Sequence, residues 1–297
     1  MKIGVALAQS SWPDGRVWSF AEIVDYAERA DRLGFDSVWT NDHFFLELGA
    51  PRRPSGPEPM VLLAHLAART ERVQLGTLVL CAPFRDPGQL VRESKTLAEL
   101  SGGRFILGLG CGWHEPEFQA FGIPSDHLVS RFEEYVEAVM ALLRGGEADY
   151  DGRYVRLRRA EVSGGAVPPV WIAARGPRML RITARHADGW NLPGPRDSLA
   201  EVLALLREEI AAAGRPEGAV VVSNAAIVLL DEPEEAGRLL AEHPGWDTVA
   251  VGADGLRAVV DTQRAAGCDH LILHLSGTIW SSYGPEQLDL AADALGL

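Results

Sequence analysis

Apolar strand-like runs alternate with amphipathic helical stretches from one end of the chain to the other. The runs fall at 3–8, 37–40, 73–80, 105–110, 170–174, 189–192, 220–230 and 270–275. Between them the apolar residues recur at helical spacing over about 19–33, 59–70, 88–100, 131–143, 177–186, 199–213 and 253–266, with a last stretch at 285–295. Such alternation predicts a parallel α/β fold, because parallel strands need helical crossovers. Eight strands with eight helices make it a (β/α)8 TIM barrel, whose usual length of about 250 residues leaves roughly 50 for loop insertions. One domain over residues 1–297 is expected.

Local signals support these boundaries. Leu33-Gly34 and Ala266-Gly267 each put a glycine where a helix must stop and turn into a strand. Two segments break the alternation: 44–58, with three prolines and two glycines, and 148–167, which carries the hairpin-like turn Tyr150-Asp151-Gly152-Arg153-Tyr154. Both read as loop insertions.

Composition narrows the function classes. A net charge of −13 argues against a nucleic-acid partner, since a polyanion needs a concentrated basic surface. No run approaches the roughly 20 apolar residues of a membrane span, and Met1 leads into a strand without a signal-peptide pattern, so no membrane partner and a cytoplasmic location are expected. Cys81, Cys111 and Cys268 are too scattered for a disulfide framework or a zinc site and are expected as reduced thiols. The basic residues divide as 26 Arg to 2 Lys, which codon usage in a GC-rich genome explains, with phosphate binding as the other reading.

In a barrel of this kind the chemistry sits just past the C-terminal ends of the strands. Those ends read Ala8-Gln9-Ser10, Asn41-Asp42-His43, Leu80-Cys81-Ala82-Pro83, Gly110-Cys111-Gly112-Trp113-His114, Ala174-Arg175-Gly176-Pro177-Arg178, Trp190-Asn191, Asp231 and His274-Leu275-Ser276. Asp42 and His43 are the acid/base candidates, because a carboxylate beside a histidine can fix its tautomer. Sequence neighbours on a strand end point apart, so Asp42 also reads as a loop cap. His114, Glu115 and Glu117 either reach the same space or simply open a solvated helix. Trp113 and His114 are the candidates for substrate contact.

Gly108-Leu109-Gly110-Cys111-Gly112-Trp113 fails as a dinucleotide fingerprint, since Trp113 stands where the last glycine belongs. Gly110, Cys111 and Gly112 fit close approach of the backbone to a flat ligand, or a tight turn, with Cys111 a small filler rather than a nucleophile. Ala174-Arg175-Gly176-Pro177-Arg178 runs from strand through glycine into a helix starting at proline, and backbone N–H groups at such a start, beside arginine, suit an anion. A metal centre is not expected: strand one offers no ligand, and His270 and His274, four apart on one strand face, have no acidic partner and read as a core and rim pair. A Gly-x-Ser-x-Gly elbow is missing from the sequence.

Several stretches together resemble the bacterial luciferase-like superfamily. They are Ala30-Asp31-Arg32-Leu33-Gly34-Phe35-Asp36-Ser37-Val38-Trp39-Thr40-Asn41-Asp42-His43, Thr70-Glu71-Arg72-Val73-Gln74-Leu75-Gly76-Thr77, and Ser101-Gly102-Gly103-Arg104-Phe105 running into the fourth-strand glycines. Pro169-Val170-Trp171-Ile172-Ala173-Ala174-Arg175-Gly176-Pro177, Ala187-Asp188-Gly189-Trp190-Asn191 and Gly267-Cys268-Asp269-His270 extend the match.

The resemblance implies a barrel holding coenzyme F-420, a deazaflavin, or alternatively FMN, with the tricyclic ring in the mouth. It implies a non-proline cis peptide behind that ring at Leu78-Val79, ring edges at Gly110, Cys111 and Gly112, the cofactor phosphate on Gly176-Pro177-Arg178, and His43 near the reactive centre. The implied activity is hydride transfer between reduced F-420 and a small organic substrate, with an FMN-dependent monooxygenase, in which Cys81 and Cys111 shape the oxygen pocket, as the alternative. A flavin-binding protein without turnover is a third reading. Members of the family are often homodimers. Trp113 stands where the sugar-phosphate dehydrogenases of the family carry a glutamate, which argues against that reaction here.

Overall fold

The computed structural model describes residues 1–7, 17–47, 53–194, 198–230, 233–242, 248–275 and 284–297. Eight parallel strands form the barrel: β1 (Lys2–Ala6), β2 (Ser37–Thr40), β3 (Gln74–Thr77), β4 (Phe105–Gly110), β5 (Val170–Ala173), β6 (Gly189–Asn191), β7 (Val221–Leu229) and β8 (His270–His274). Each pairs with its sequence neighbour, and the pairing of β8 with β1, Leu271 opposite Ile3, closes the ring. Eight helices alternate with them: α1 (Phe20–Leu33), α2 (Pro59–Arg69), α3 (Pro87–Leu100), α4 (Leu128–Leu143), α5 (Pro177–His186), α6 (Leu199–Ala212), α7 (Gly252–Ala265) and α8 (Gln287–Leu295). The (β/α)8 pattern read from periodicity is therefore the fold.

The helix ends follow local chemistry. Ser19 and Glu22 form a reciprocal capping box at α1, Asp86 accepts from the Gly88 and Gln89 N–H groups at α3, and Gly34 ends α1 with a φ of 104°. No helix among the described residues is long and apolar enough to cross a membrane.

Four local differences from the sequence reading have physical causes. The run 73–80 is interrupted after Thr77, and pairing with β4 resumes only at Leu80–Cys81. Segment 44–58 contains a two-residue antiparallel pairing, Phe45 opposite Pro54 and Leu46 opposite Arg53, rather than loop alone. Segment 148–167 opens with an antiparallel hairpin, Ala148–Asp151 with Arg156–Ala160, tied to α4 because Glu134 accepts from the Arg153, Tyr154 and Val155 N–H groups. The stretch after β7 holds a further helix, Pro233–Glu242, and a strand, Val249–Val251, that pairs with the C-terminal part of β7. Three alternating residues carry little periodic signal, which hid that strand.

A recurring aspartate sets the register at the N-terminal rim. Asp36, Asp188 and Asp269 each stand just before an even-numbered strand, and their carboxylates accept from the N–H groups of Ile3, Val170 and Val222 at 2.7, 2.9 and 2.9 Å. Each aspartate N–H donates back to the carbonyl of the same residue. The two-bond ring fixes the register of β1 with β2, β5 with β6 and β7 with β8.

The barrel interior is filled by Trp39 and Trp171, whose ring centroids lie 5.1 Å apart, with Ala6, Ile106 and Ile272. His270 sits edge-on to both indoles, its Nε2 2.7 Å from Ser37 Oγ, which also accepts from Trp39 Nε1–H. The sequence expectation of a core histidine is met. Burial, then the charges of Lys2 and the amino terminus, push its pKa from 6.5 down to about 3, and burial pushes that of His274 to about 4.

Both rings are thus neutral in the native state at pH 7. Below about 6.5 the unfolded chain takes up protons that the barrel refuses, so stability is fully present above that pH and falls as pH drops toward 3. A His270→Gln variant is expected to lose stability at pH 7 yet show a shallower decline between pH 6.5 and 3.5 in urea titrations. An unchanged slope contradicts the assignment.

Candidate active site

The mouth is shaped first by the interruption of β3. The peptide between Leu78 and Val79 is cis, the position implied by the resemblance. Leu78 N–H donates across to Thr40 O at 2.7 Å, while Thr77 Oγ1 and Gly108 share a pair of 2.8 Å hydrogen bonds. The glycines of β4 make room for this bulge: a Cβ on Gly108 would lie 1.9 Å from Thr77 O, and one on Gly110 would lie 2.6 Å from a Val79 methyl. What approaches Gly108 and Gly110 is not a ligand but the neighbouring segment, through Thr77 and Val79. Gly112 makes the tight turn, with φ 79° and no space beside Phe118 and Cys81.

His43 stands at the end of β2, and its Nδ1 lies 2.8 Å from Glu117 Oε2. The Glu117 side chain is 1% exposed and that of His43 is 18%. Burial by itself would raise the Glu117 pKa, but the hydrogen bond and charge of His43 and the N–H groups of Phe45 and Phe44 hold it below the usual carboxylate range. An ionised Glu117 accepts only, so Nδ1 of His43 carries the proton and Nε2 is left for a ligand.

Asp42, the carboxylate beside His43 in sequence, goes elsewhere. Its Oδ2 accepts from Cys81 N–H at 2.8 Å, and both its oxygens pair with Arg85, which also reaches Glu58 at 2.7 Å. The acid/base reading of Asp42 is corrected to the loop-capping one: adjacent residues diverge at a strand end, and this carboxylate ties strand two to the turn after strand three. Burial opposes the charge on Arg85, yet Asp42 and Glu58 raise its pKa.

His114 is also corrected. It is buried and its Nε2 accepts from Glu47 N–H at 3.0 Å, so it braces the loop rather than facing substrate. Glu115 turns outward to Ser125. Trp113 stays exposed, edge-on to His43 with centroids 5.5 Å apart. Burial pushes the Cys81 and Cys111 thiols up, with Asp42 and Glu117 adding to the shift at Cys81, so both remain protonated.

At the start of α5 the Gly176 N-cap has no side-chain cap. A Cβ on Gly176 would meet nothing within 4 Å, and its φ of −74° suits any residue, so neither packing nor backbone requires glycine there. What glycine keeps is open space above a helix N-terminus. Ala174 is fixed in place, its carbonyl accepting from Trp190 Nε1–H at 2.7 Å. Arg178 reaches Ser130 Oγ at 2.9 Å and Glu133 at 2.6 Å on α4, and Arg175 donates to Pro193 O at 2.6 Å. The segment read from sequence as an anion site does open a helix and carry two arginines, of which Arg178 is held by Glu133 and Ser130 and Arg175 donates to Pro193 O.

His43, Glu117 and Trp113 meet at one side of the mouth, and Leu78, Val79, Cys111 and Gly112 are partly open beside them. Arg85 and Ser130 escaped the sequence reading, because long-range pairing across loops leaves no periodic trace. Gln9, Ser10, Asp231 and Ser276 lie outside the described residues.

The sequence pattern of the family described as luciferase-like monooxygenase matches residues 1–271. The chain belongs to this family. Among curated relatives of this luciferase-like chain, an F-420-dependent glucose-6-phosphate dehydrogenase from Kineococcus radiotolerans is 30% identical over 88% of the chain and 77% of the relative. Another, from Intrasporangium calvum, is 38% identical over 57% of the chain, a match that spans only about half (52%) of the relative. The crystal structure of a monooxygenase from Streptomyces bottropensis superposes with a TM-score of 0.80 at 27% identity, covering 99% of this chain and 98% of the other. The protein is an enzyme of the luciferase-like family.

Proposed function

We propose that the enzyme transfers hydride between coenzyme F-420 and a small organic carbonyl or alcohol, without a nucleic-acid or membrane partner. The observation that carries this is the His43–Glu117 pair beside the Leu78–Val79 bulge. The residues present fit the cofactor. Leu78 and Val79 would back the ring, Cys111 and Gly112 would edge it, and Ala174, Gly176, Pro177 and Arg178, with Ser130, would receive its phosphate at the α5 start. Bound in reduced form, the deazaflavin supplies a hydride from C5.

His43 supplies the matching proton. With Nδ1–H held on Glu117, an imidazolium gives its Nε2 proton to the carbonyl oxygen as the carbon receives the hydride. In the reverse direction the neutral ring takes the alcohol proton, and the buried Glu117 charge stabilises the imidazolium that forms. The F-420-dependent relatives support the cofactor choice. The superposing monooxygenase favours a second reading, FMN with dioxygen.

Absorption and fluorescence titration of the purified protein separates the two. Binding of F-420, followed by its oxidation with a carbonyl or enone panel, is the expected result. Tight FMN binding with no response to F-420 overturns it, and F-420 binding with no turnover of any panel member points to a carrier. Gly176→Val is expected to weaken cofactor binding by about tenfold or more while costing no more than about 1 kcal/mol of stability, since an added Cβ meets nothing within 4 Å and only the N-cap preference for glycine over valine is lost. Unaltered affinity in the same titration contradicts the phosphate assignment.

A further inference from the structure

Three large rings at the mouth are left in solvent: Trp113 at 59%, Phe121 at 52% and Phe44 at 51% exposure. Two of them, Phe44 and Phe121, form a cluster, and the third stands against His43. Phe44 lies 4.2 Å from Phe121 and 4.9 Å from Phe84 by ring centroids, and Trp113 abuts His43. Clustered exposure of this kind marks a binding surface, where scattered exposed apolar residues do not.

The rim is built into the reacting group. Phe44 follows His43, and its N–H donates to Glu117 at 2.5 Å, so the carboxylate that orients the histidine also fixes the rim. Trp113 is held outward from both sides: Gly112 turns with positive φ against Phe118 and Cys81, and His114 is anchored by Glu47 N–H.

Arg85, which pairs with the neighbour of His43 in the chain, has a side chain only 14% exposed and already committed to Asp42 and Glu58.

We propose that the substrate is a flat, apolar carbonyl or enone compound, its ring system lying against Trp113 and its apolar remainder crossing Phe44 and Phe121. This rests on the hydride-transfer reading and deepens it. The alternative occupant of the rim is a second copy of this chain.

The test compares F-420-loaded enzyme on 2-acetylnaphthalene, on its 6-carboxylate analogue and on acetone. The neutral naphthyl ketone is expected to exceed both others in kcat/KM by about 100-fold, and Trp113→Ala to raise its KM about tenfold, Trp113→Phe restoring most of the loss. Equilibrium dialysis of 2-acetylnaphthalene against wild type and Trp113→Ala reads the same surface without turnover, so it supports or overturns the proposal even if no carbonyl is reduced with F-420. Equal use of acetone, preference for the carboxylate or for glucose 6-phosphate, or equal naphthyl binding by Trp113→Ala overturns it. So does a dimer that Phe44→Ala with Phe121→Ala converts to monomer while the naphthyl KM stays fixed. Retained acetone reduction in any of these leaves the hydride-transfer reading intact.

Discussion

His43→Ala is expected to lower kcat for carbonyl reduction by about 10²–10⁴-fold, the usual contribution of a positioned acid or base, while F-420 affinity changes little. The proton that must accompany the hydride then has to come from water. Added imidazole should restore part of the rate. Glu117→Gln tests the partner: the amide can turn its NH2 toward Nδ1, which moves the ring proton to Nε2 and leaves no buried charge to stabilise the imidazolium. Its kcat is expected to fall by at least tenfold. Steady-state kinetics with a stopped-flow record of F-420 oxidation measures both, and a His43→Ala enzyme with full kcat reduces the histidine to a structural role.

Gly189→Ala and Gly76→Ala are expected to cost about 3 kcal/mol each, or to prevent folding, through overpacking rather than backbone conformation. A Cβ on Gly189 would lie 2.4 Å from the Trp171 indole, and one on Gly76 would lie 2.2 Å from that of Trp39. Neither ring can retreat, because the two indoles pack on each other and on His270 inside a closed barrel. Gly176→Ala is the control, with open space at the same added atom. Urea or thermal denaturation of the three variants checks the contrast, and similar stabilities for all three would remove the packing argument.

All eight barrel strands and the eight helices between them were legible, because periods of two and 3.6 residues and the stop signals at Gly34 and Gly267 are local properties. The strand Val249–Val251 was not, since its only support is pairing with the far end of β7. At the site, His43 was found by its place after a strand, and Trp113 and Gly176 likewise.

Its partner was harder to find. Sequence adjacency favoured Asp42, and Glu117 lay 74 residues away with an ordinary explanation as an acid in the first turn of a helix. Tertiary structure reversed that choice, because the loop after β4 folds back over the end of β2 and offers Glu117 two backbone N–H groups besides the imidazole.

By itself the sequence determined the barrel, the acidic balance and the family resemblance. Only the folded chain decided which carboxylate pairs with His43, that Asp42 and His114 are braces, and that Trp113 stands exposed against His43. Backbone periodicity is set by neighbours a few residues apart, whereas proton placement and substrate complementarity depend on distances of about 3 Å between residues that the chain order keeps far apart.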